Sequence, residues 1–422
     1  MITLPPWLLV AVVAWLVTAA VTYGMLRRAI YNLLDPVIVV AVSMPFSAAL
    51  LTSLCSLGLV SWDKLALFTV VVLGYLAGAR TISTFFGRET FRELLARVTS
   101  GFPRVEVQSI LIATLCITLV LAILGLGVGA QGDARQAFGR AFRPLIVLQS
   151  GLFLFSLVLL LNSSMPRTKT ALWLIALLVL SIPFSGKSVV VPLLYWYGLK
   201  LFLEHRKVPL RTGIGLVLLV LLAASLMTLL AYGASGPLDA VLLIVNRLAL
   251  FGDVYIYAYQ SDALASIRGN QSVSFLAYVL HPITSLVGIR GYDKPLGSAL
   301  ASEVTGEDVL TGPNPQLPIV LDYFFPDALV TALVIAFVFG LAVMVLRPLG
   351  IALARSRSRY LRLGGLVAAI FAPAGGFIDT SQVLIALIGI AAATGCGVMI
   401  ELALSSRTQR PPATAERLQT PQ

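Results

Sequence analysis

Residues 234–318 bring together the side chains best suited to chemistry: four cations (Arg247, Arg268, Arg290, Lys294), seven acids, five tyrosines and one histidine, His281. A guanidinium stays charged and matches phosphate oxygens with a two-pronged fork, so arginines gathered in one segment suit a phosphate or diphosphate. Tyr255 and Tyr259, four apart and on one helical face, offer ring faces and hydroxyls of the kind that hold sugars. Asp253 or His281 can take a proton from an attacking hydroxyl. Joined, these groups suit transfer of a glycan from a lipid diphosphate, with arginine stabilising the leaving group and no metal or other cofactor required. The same pairings also describe ordinary structural ion pairs, and tyrosines also gather at membrane interfaces. Other chemistries lack their residues. There is no HExxH, no Cys/His cluster for zinc and no GxSxG elbow.

The elements that must position these groups are set by composition. Hydrophobic residues make up 58% of the chain and charged residues 12%, which excludes a soluble globular domain. The continuous apolar runs, near 20 residues each, predict an all-α transmembrane bundle of about eleven spans rather than a barrel. They fall at about 5–25, 36–60, 64–80, 107–129, 144–162, 170–185, 188–203, 212–233, 319–346, 361–379 and 381–402, each roughly one bilayer thickness. The expected organisation is a bundle over 1–233, a helical extracytoplasmic cap over 234–318, three spans over 319–404 and a polar cytoplasmic tail over 405–422. Cys55, Cys116 and Cys396 all lie in spans, so no disulfide framework is expected.

Threaded with alternating orientation, 21 of the 30 basic residues fall in loops on one side. Basic loops stay cytoplasmic, so the N-terminus and the cap are expected outside the inner membrane of a bacterium and the C-terminus inside. The formal charge of +11 is then a topology signal, and nucleic acid is excluded as a partner. RETFRELLAR, in the loop from Arg80 to Glu106, is expected to be an interfacial helix on anionic lipid.

Two short outer connections add candidates for anion binding. Arg140 and Arg143 are three apart, on one face of any helix formed there. Lys187 sits in the turn PFSGKS between apolar runs, where an unpaired charge is costly. Gly186-Lys187-Ser188 mimics the end of a phosphate-binding loop, but Ser181 stands where the first glycine must be. Within the cap, Ser235 is expected to cap a helix ending near Phe251, Asp253 a second, and Asn270 or Ser272 a third broken at Pro282. Beyond lies a Gly/Pro-rich loop containing Lys294 and Asn314, and loops of this kind over a rigid bundle are common binding surfaces.

The layout of many spans, one large outer loop late in the chain, and GPNPQLPIVLDYFFPDALVTALVIAFVFG (312–340) entering the next span resembles the Wzy-type O-antigen and oligosaccharide repeat-unit polymerases, multi-span GT-C-like glycosyltransferases. NRLALFGDVYIYAY (246–259) is similar to the Arg–Gly–Asp stretch that starts their outer loop. The resemblance implies transfer of a growing glycan from one undecaprenyl diphosphate onto the next lipid-linked repeat, as part of lipopolysaccharide or related polysaccharide biosynthesis. A chain-length regulator and a flippase are the companions it implies. Arg247 and Asp253 match the loop start and Asn314 the loop end; Arg290 rests on the charge argument alone. An odd span count with an outer N-terminus departs from the even-numbered layout of that family. An O-antigen ligase acting on lipid A-core, kept open by His281, and a lipid or polysaccharide transporter are the competing readings.

Overall fold

The computed structural model describes residues 6–83, 85–126, 138–139, 141–162, 165–185, 191–206, 215, 253–260, 262–268, 274–285, 294–309, 312–313, 315–377 and 380–408. The described residues are helical, with no strand among them. In chain order the helices are α1 (Pro6–Leu26), α2 (Pro36–Ala41), α3 (Ser43–Ser56), α4 (Trp62–Ser83), α5 (Arg88–Ser100), α6 (Arg104–Leu126), α7 (Arg143–Leu159), α8 (Arg167–Ser185) and α9 (Val191–Leu203). There follow α10 (Asp253–Tyr255), which runs into a π-helical turn (Ile256–Gln260), then α11 (Ala263–Arg268), α12 (Phe275–Thr284), α13 (Leu296–Thr305), α14 (Leu317–Phe324), α15 (Leu329–Leu353), α16 (Arg359–Phe371) and α17 (Thr380–Thr408). Among the described residues, six helices are long and apolar enough to cross a membrane. They lie within α1, α2–α3, α4, α6, α15 and α17. The other expected spans are shorter helices or, at 212–233, lie outside the described residues apart from Gly215.

Proline lies at an interruption in two of the expected spans. Pro45 cannot donate to the carbonyl of Ala41, and α2 gives way to α3 at Val42, whose backbone stays helical (φ −58°, ψ −23°), so 36–56 remains one run long enough to cross a membrane. Pro326 forces Phe325 out of helical geometry (φ −134°, ψ 62°), and Asp327 then takes a left-handed turn at φ 58°. The expected span 319–346 is therefore two helices, α14 and α15. The boundary placed at Pro318 falls inside α14 rather than between cap and bundle.

The broadest helix–helix interface joins α4 to α15, and it is built on glycine. A side chain at Gly78 would collide with the backbone of Phe337, and one at Gly340 with the backbone of Tyr75. The two helices thus touch main chain to main chain, as small-residue stripes permit where no hydrophobic effect drives association. One apolar core unites α1, α3, α4, α14 and α15 with the cap helices. A second lies between α5, α7, α8, α9 and α16.

The second core corrects one expectation. The apolar face of α5 (Phe91, Leu94, Leu95, Val98) is buried in protein, so α5 presents its charged face alone outward. Arg347 is a second correction. Counted by sequence among loop cations, it lies within α15 at 2% exposure and pairs with Asp35, itself 0% exposed. Asp35 also accepts the backbone N–H groups of Tyr31 (3.0 Å) and Val37 (2.9 Å), while Arg347 donates to the carbonyl of Ala29 and lies over the Phe86 ring. These bonds fasten the α1–α2 connection to the far end of α15.

Removing one member of such a pair strands a buried charge. Asp35→Ala is therefore expected to cost about 3–5 kcal/mol, whereas the paired change Asp35→Leu/Arg347→Met recovers most of the loss. Thermal unfolding of the purified single and double variants measures both.

Candidate functional site

Where the cap helices meet the start of α4 and the end of α14, a charged knot is built around Asp322. Its carboxylate is almost wholly buried, with 1% of its side chain exposed, inside the apolar run LPIVLDYF of α14. Lys64, in the first turn of α4, reaches it at 3.0 Å and 3.2 Å. Arg268, the last residue of α11, donates to the Asp322 carbonyl at 2.8 Å and lies 3.6 Å from its carboxylate. The cations are only partly enclosed, with 23% of the Lys64 and 33% of the Arg268 side chain exposed. Lys64 also lies 3.9 Å from the exposed carboxylate of Asp63, so two cations and two carboxylates meet here.

The π-helical turn supplies the aromatic wall. An extra residue in a helical turn re-aims the side chains that follow, and such turns favour functional sites. Tyr259 lies beside the ammonium of Lys64, 5.4 Å from ring centroid to Nζ. Burial first, and the neighbouring Asp322 carboxylate second, hold its phenol well above the ordinary tyrosine range, so Tyr259 stays protonated at neutral pH. Two further donors border the knot: Arg268 Nε and the Tyr323 hydroxyl are buried and have no hydrogen-bond partner among the described residues.

Gln316 holds this arrangement in register. It is 1% exposed, and its carbonyl oxygen accepts from the Tyr255 hydroxyl (3.1 Å) and the Ser47 hydroxyl (3.0 Å), which fills both lone pairs. One residue on, the Leu317 N–H donates to the carbonyl of Phe377 at 3.0 Å. Gly297 and Gly312 are in close backbone contact, where a side chain at either would collide with the opposite chain. The described part of the Gly/Pro-rich stretch is thus a staple between cap and bundle, not an open binding loop.

Comparison with known protein families, with curated proteins and with solved structures finds no match for this chain. Its site stands on its own geometry.

Of the expected site residues, the structure brings Arg268 and Tyr259 into the knot. Tyr255 is close by but wholly buried, packed edge-on against Phe68, so its ring is core rather than a sugar platform. Asp253 opens α10. His281 lies on α12, a different element, in that helix's last turn. That helix is capped by Ser274 (Ala277 N–H to Ser274 Oγ, 3.2 Å), not by Asn270 or Ser272, and it runs through Pro282. Lys294 is paired with Asp308 and donates to the Ser302 hydroxyl at 3.1 Å. Arg143 is the first residue of α7, away from the cap helices in the chain. Arg140, Lys187, Arg247, Arg290 and Asn314 lie outside the described residues. Among the described residues no group of three or more His, Cys, Asp or Glu side chains is arranged to hold a metal.

Lys64 and Asp322 fall near span ends in the sequence and were given no role there, and Gln316 and Ser47 carried no signal. A signal existed for the first two: each is a charge beside an apolar run, at WDKLALF and IVLDYFF. Such charges are rarely idle in lipid.

Asp322→Ala leaves two cations facing each other and is expected to destabilise the protein by about 2–4 kcal/mol, below a wholly buried pair because water reaches both cations. Lys64→Ala, which leaves Arg268 as counter-ion, costs less. A double-mutant cycle on Lys64 and Asp322, read by thermal unfolding in detergent, is expected to show coupling of about 1–3 kcal/mol.

Proposed function

We propose that the protein is a membrane-embedded glycosyltransferase that polymerises undecaprenyl-diphosphate-linked oligosaccharide repeats into O-antigen or a related surface polysaccharide. The observation that carries this reading is the pair of part-exposed cations held at Asp322. Lys64 and Arg268 are held by a buried carboxylate yet keep part of their surface open, beside a protonated tyrosine and two unpartnered donors. A diphosphate needs preorganised cations and donors that do not have to rearrange as charge develops on the leaving oxygen.

In this mechanism the acceptor sugar hydroxyl attacks the anomeric carbon of the donor glycan, and the bond from that carbon to the diphosphate oxygen breaks. The hydroxyl proton passes to a carboxylate, for which Asp253 is the candidate. Asp322 does not serve, because its carboxylate is almost wholly buried and engaged by Lys64 and Arg268. Lys64, Arg268 and the sequence candidates Arg247 and Arg290 neutralise the departing undecaprenyl diphosphate. Tyr259 helps to orient Asp322 and Lys64 beside the departing group. The resemblance of residues 246–259 and 312–340 to repeat-unit polymerases supports the choice of substrate.

Reconstitution with a lipid-linked repeat unit alone tests the proposal, which expects a ladder of longer glycans. Product formed only when lipid A-core is supplied replaces polymerase by ligase, and movement of the lipid without a new bond replaces both by transport. Within the ladder assay, Arg268→Ala is expected to slow polymerisation by about 10²–10³-fold, the usual effect of losing one charge-stabilising donor. Arg247→Ala and Arg290→Ala are each expected to abolish product at normal expression.

A further inference from the structure

A second basic site lies at the opposite end of the bundle. There α1 ends, α4 ends and α5 begins around a cavity of about 730 Å³ lined by Tyr23, Arg27, Arg28, Phe86, Gly87 and Arg88. Arg27, Arg28 and Arg88 make no ion pair among the described residues. Glu89, which also lines the cavity, is drawn away into an ion pair with Arg92 at 2.5 Å. Arg88 donates to the carbonyl of Arg27, which sets the two helix ends side by side. Gly87 caps α5 without any side-chain acceptor, so the first N–H groups of this 13-residue helix are left for another partner.

The flank of the cavity identifies that partner's other end. Leu9, Val12, Val13, Leu16 and Val17 are exposed along α1, whose surface is the least covered of the six long apolar helices. This apolar strip leads along α1 to Tyr23, 48% exposed and part of the cavity wall, while Phe85 stands 71% exposed next to Phe86. A basic cavity continuous with a lipid-facing helix matches a molecule with a charged head and long apolar tails. A free phosphate would use the first feature and not the second.

We infer that the cavity at Tyr23, Arg27, Arg28 and Arg88 is a binding site for the phosphate headgroup of an anionic phospholipid, with its acyl chains lying along α1. The guanidinium groups and the open turn of α5 take the phosphate oxygens. Occupation clamps the end of α1 to α5, whose inner face is packed into the second core.

Native mass spectrometry of the purified full chain, offered phosphatidylglycerol or phosphatidylcholine at equal concentration, tests this. The expected result is retention of phosphatidylglycerol by at least about tenfold over phosphatidylcholine. Arg27→Gln/Arg28→Gln/Arg88→Gln is expected to reduce the preference to near parity. Arg104→Gln/Arg355→Gln/Arg357→Gln, which removes as much charge at the same end but outside the cavity, is expected to keep it. Equal loss in both triple variants reduces the effect to a diffuse field and overturns the site. Displacement of the lipid by millimolar inorganic phosphate would make it an ion site instead. Should the first variant fail to fold, a photoactivatable phosphatidylglycerol crosslinked to the unaltered protein decides: adducts on residues 23–28 or 85–90 support the site, and adducts only elsewhere refute it.

Discussion

The burial of one carboxylate organises the cap end of this protein. Asp322 stands in an apolar helix with 1% of its side chain exposed, and an anion there is tolerable only with opposite charge beside it. That requirement draws in Lys64 from α4 and Arg268 from the cap, and so determines where three separate parts of the chain meet. The neutral bonds around Gln316 add direction to the same junction, because a carbonyl oxygen with two donors accepts no slack. At the far end, Asp35 and Arg347 repeat the principle with both partners buried. The difference between the pairs is accessibility. The Asp35–Arg347 pair is sealed and holds structure, while the cations at Asp322 keep a side open to whatever enters.

Much of the architecture was legible in the sequence because hydrophobic run length is a one-dimensional property. The helices near 6–26, 36–56, 62–83, 104–126, 329–353 and 380–408 follow directly from it. Arg88 and Arg347 both reach the connection after α1, by bonds to the Arg27 and Ala29 carbonyls. What run length misses is where a helix stops inside an apolar run. Pro326 carried that information in FFPDA, and reading 319–346 as one span passed over it.

The site was less legible, for a physical reason. Cations concentrated in one segment are visible in sequence, and Arg268 was found that way. Lys64 and Asp322 are single charges 258 positions apart, and only folding makes them neighbours. Tyr255 shows the reverse error. Its spacing with Tyr259 was read correctly as a shared face, yet that face turns Tyr255 into the core beside Phe68, and burial rather than spacing decides what a ring can touch. Arg347 was misplaced on the same ground, since position after an apolar run suggested a loop and Asp35 instead drew it inside.

The glycine contact between α4 and α15 has a consequence for the chemistry at the other end of α4. Side chains between helices act as shims that can be trimmed or thickened to shift one helix against its neighbour. Main chain resting on main chain at Gly78 and Gly340 leaves no shim. The helix that carries Lys64 is therefore set at a fixed gauge against the one that continues from the Asp322 segment. Any change in the shape of the knot therefore falls to parts that can be re-cut, the cap turns and the residues of the π-helical turn, while the spacing of the two anchoring helices stays constant.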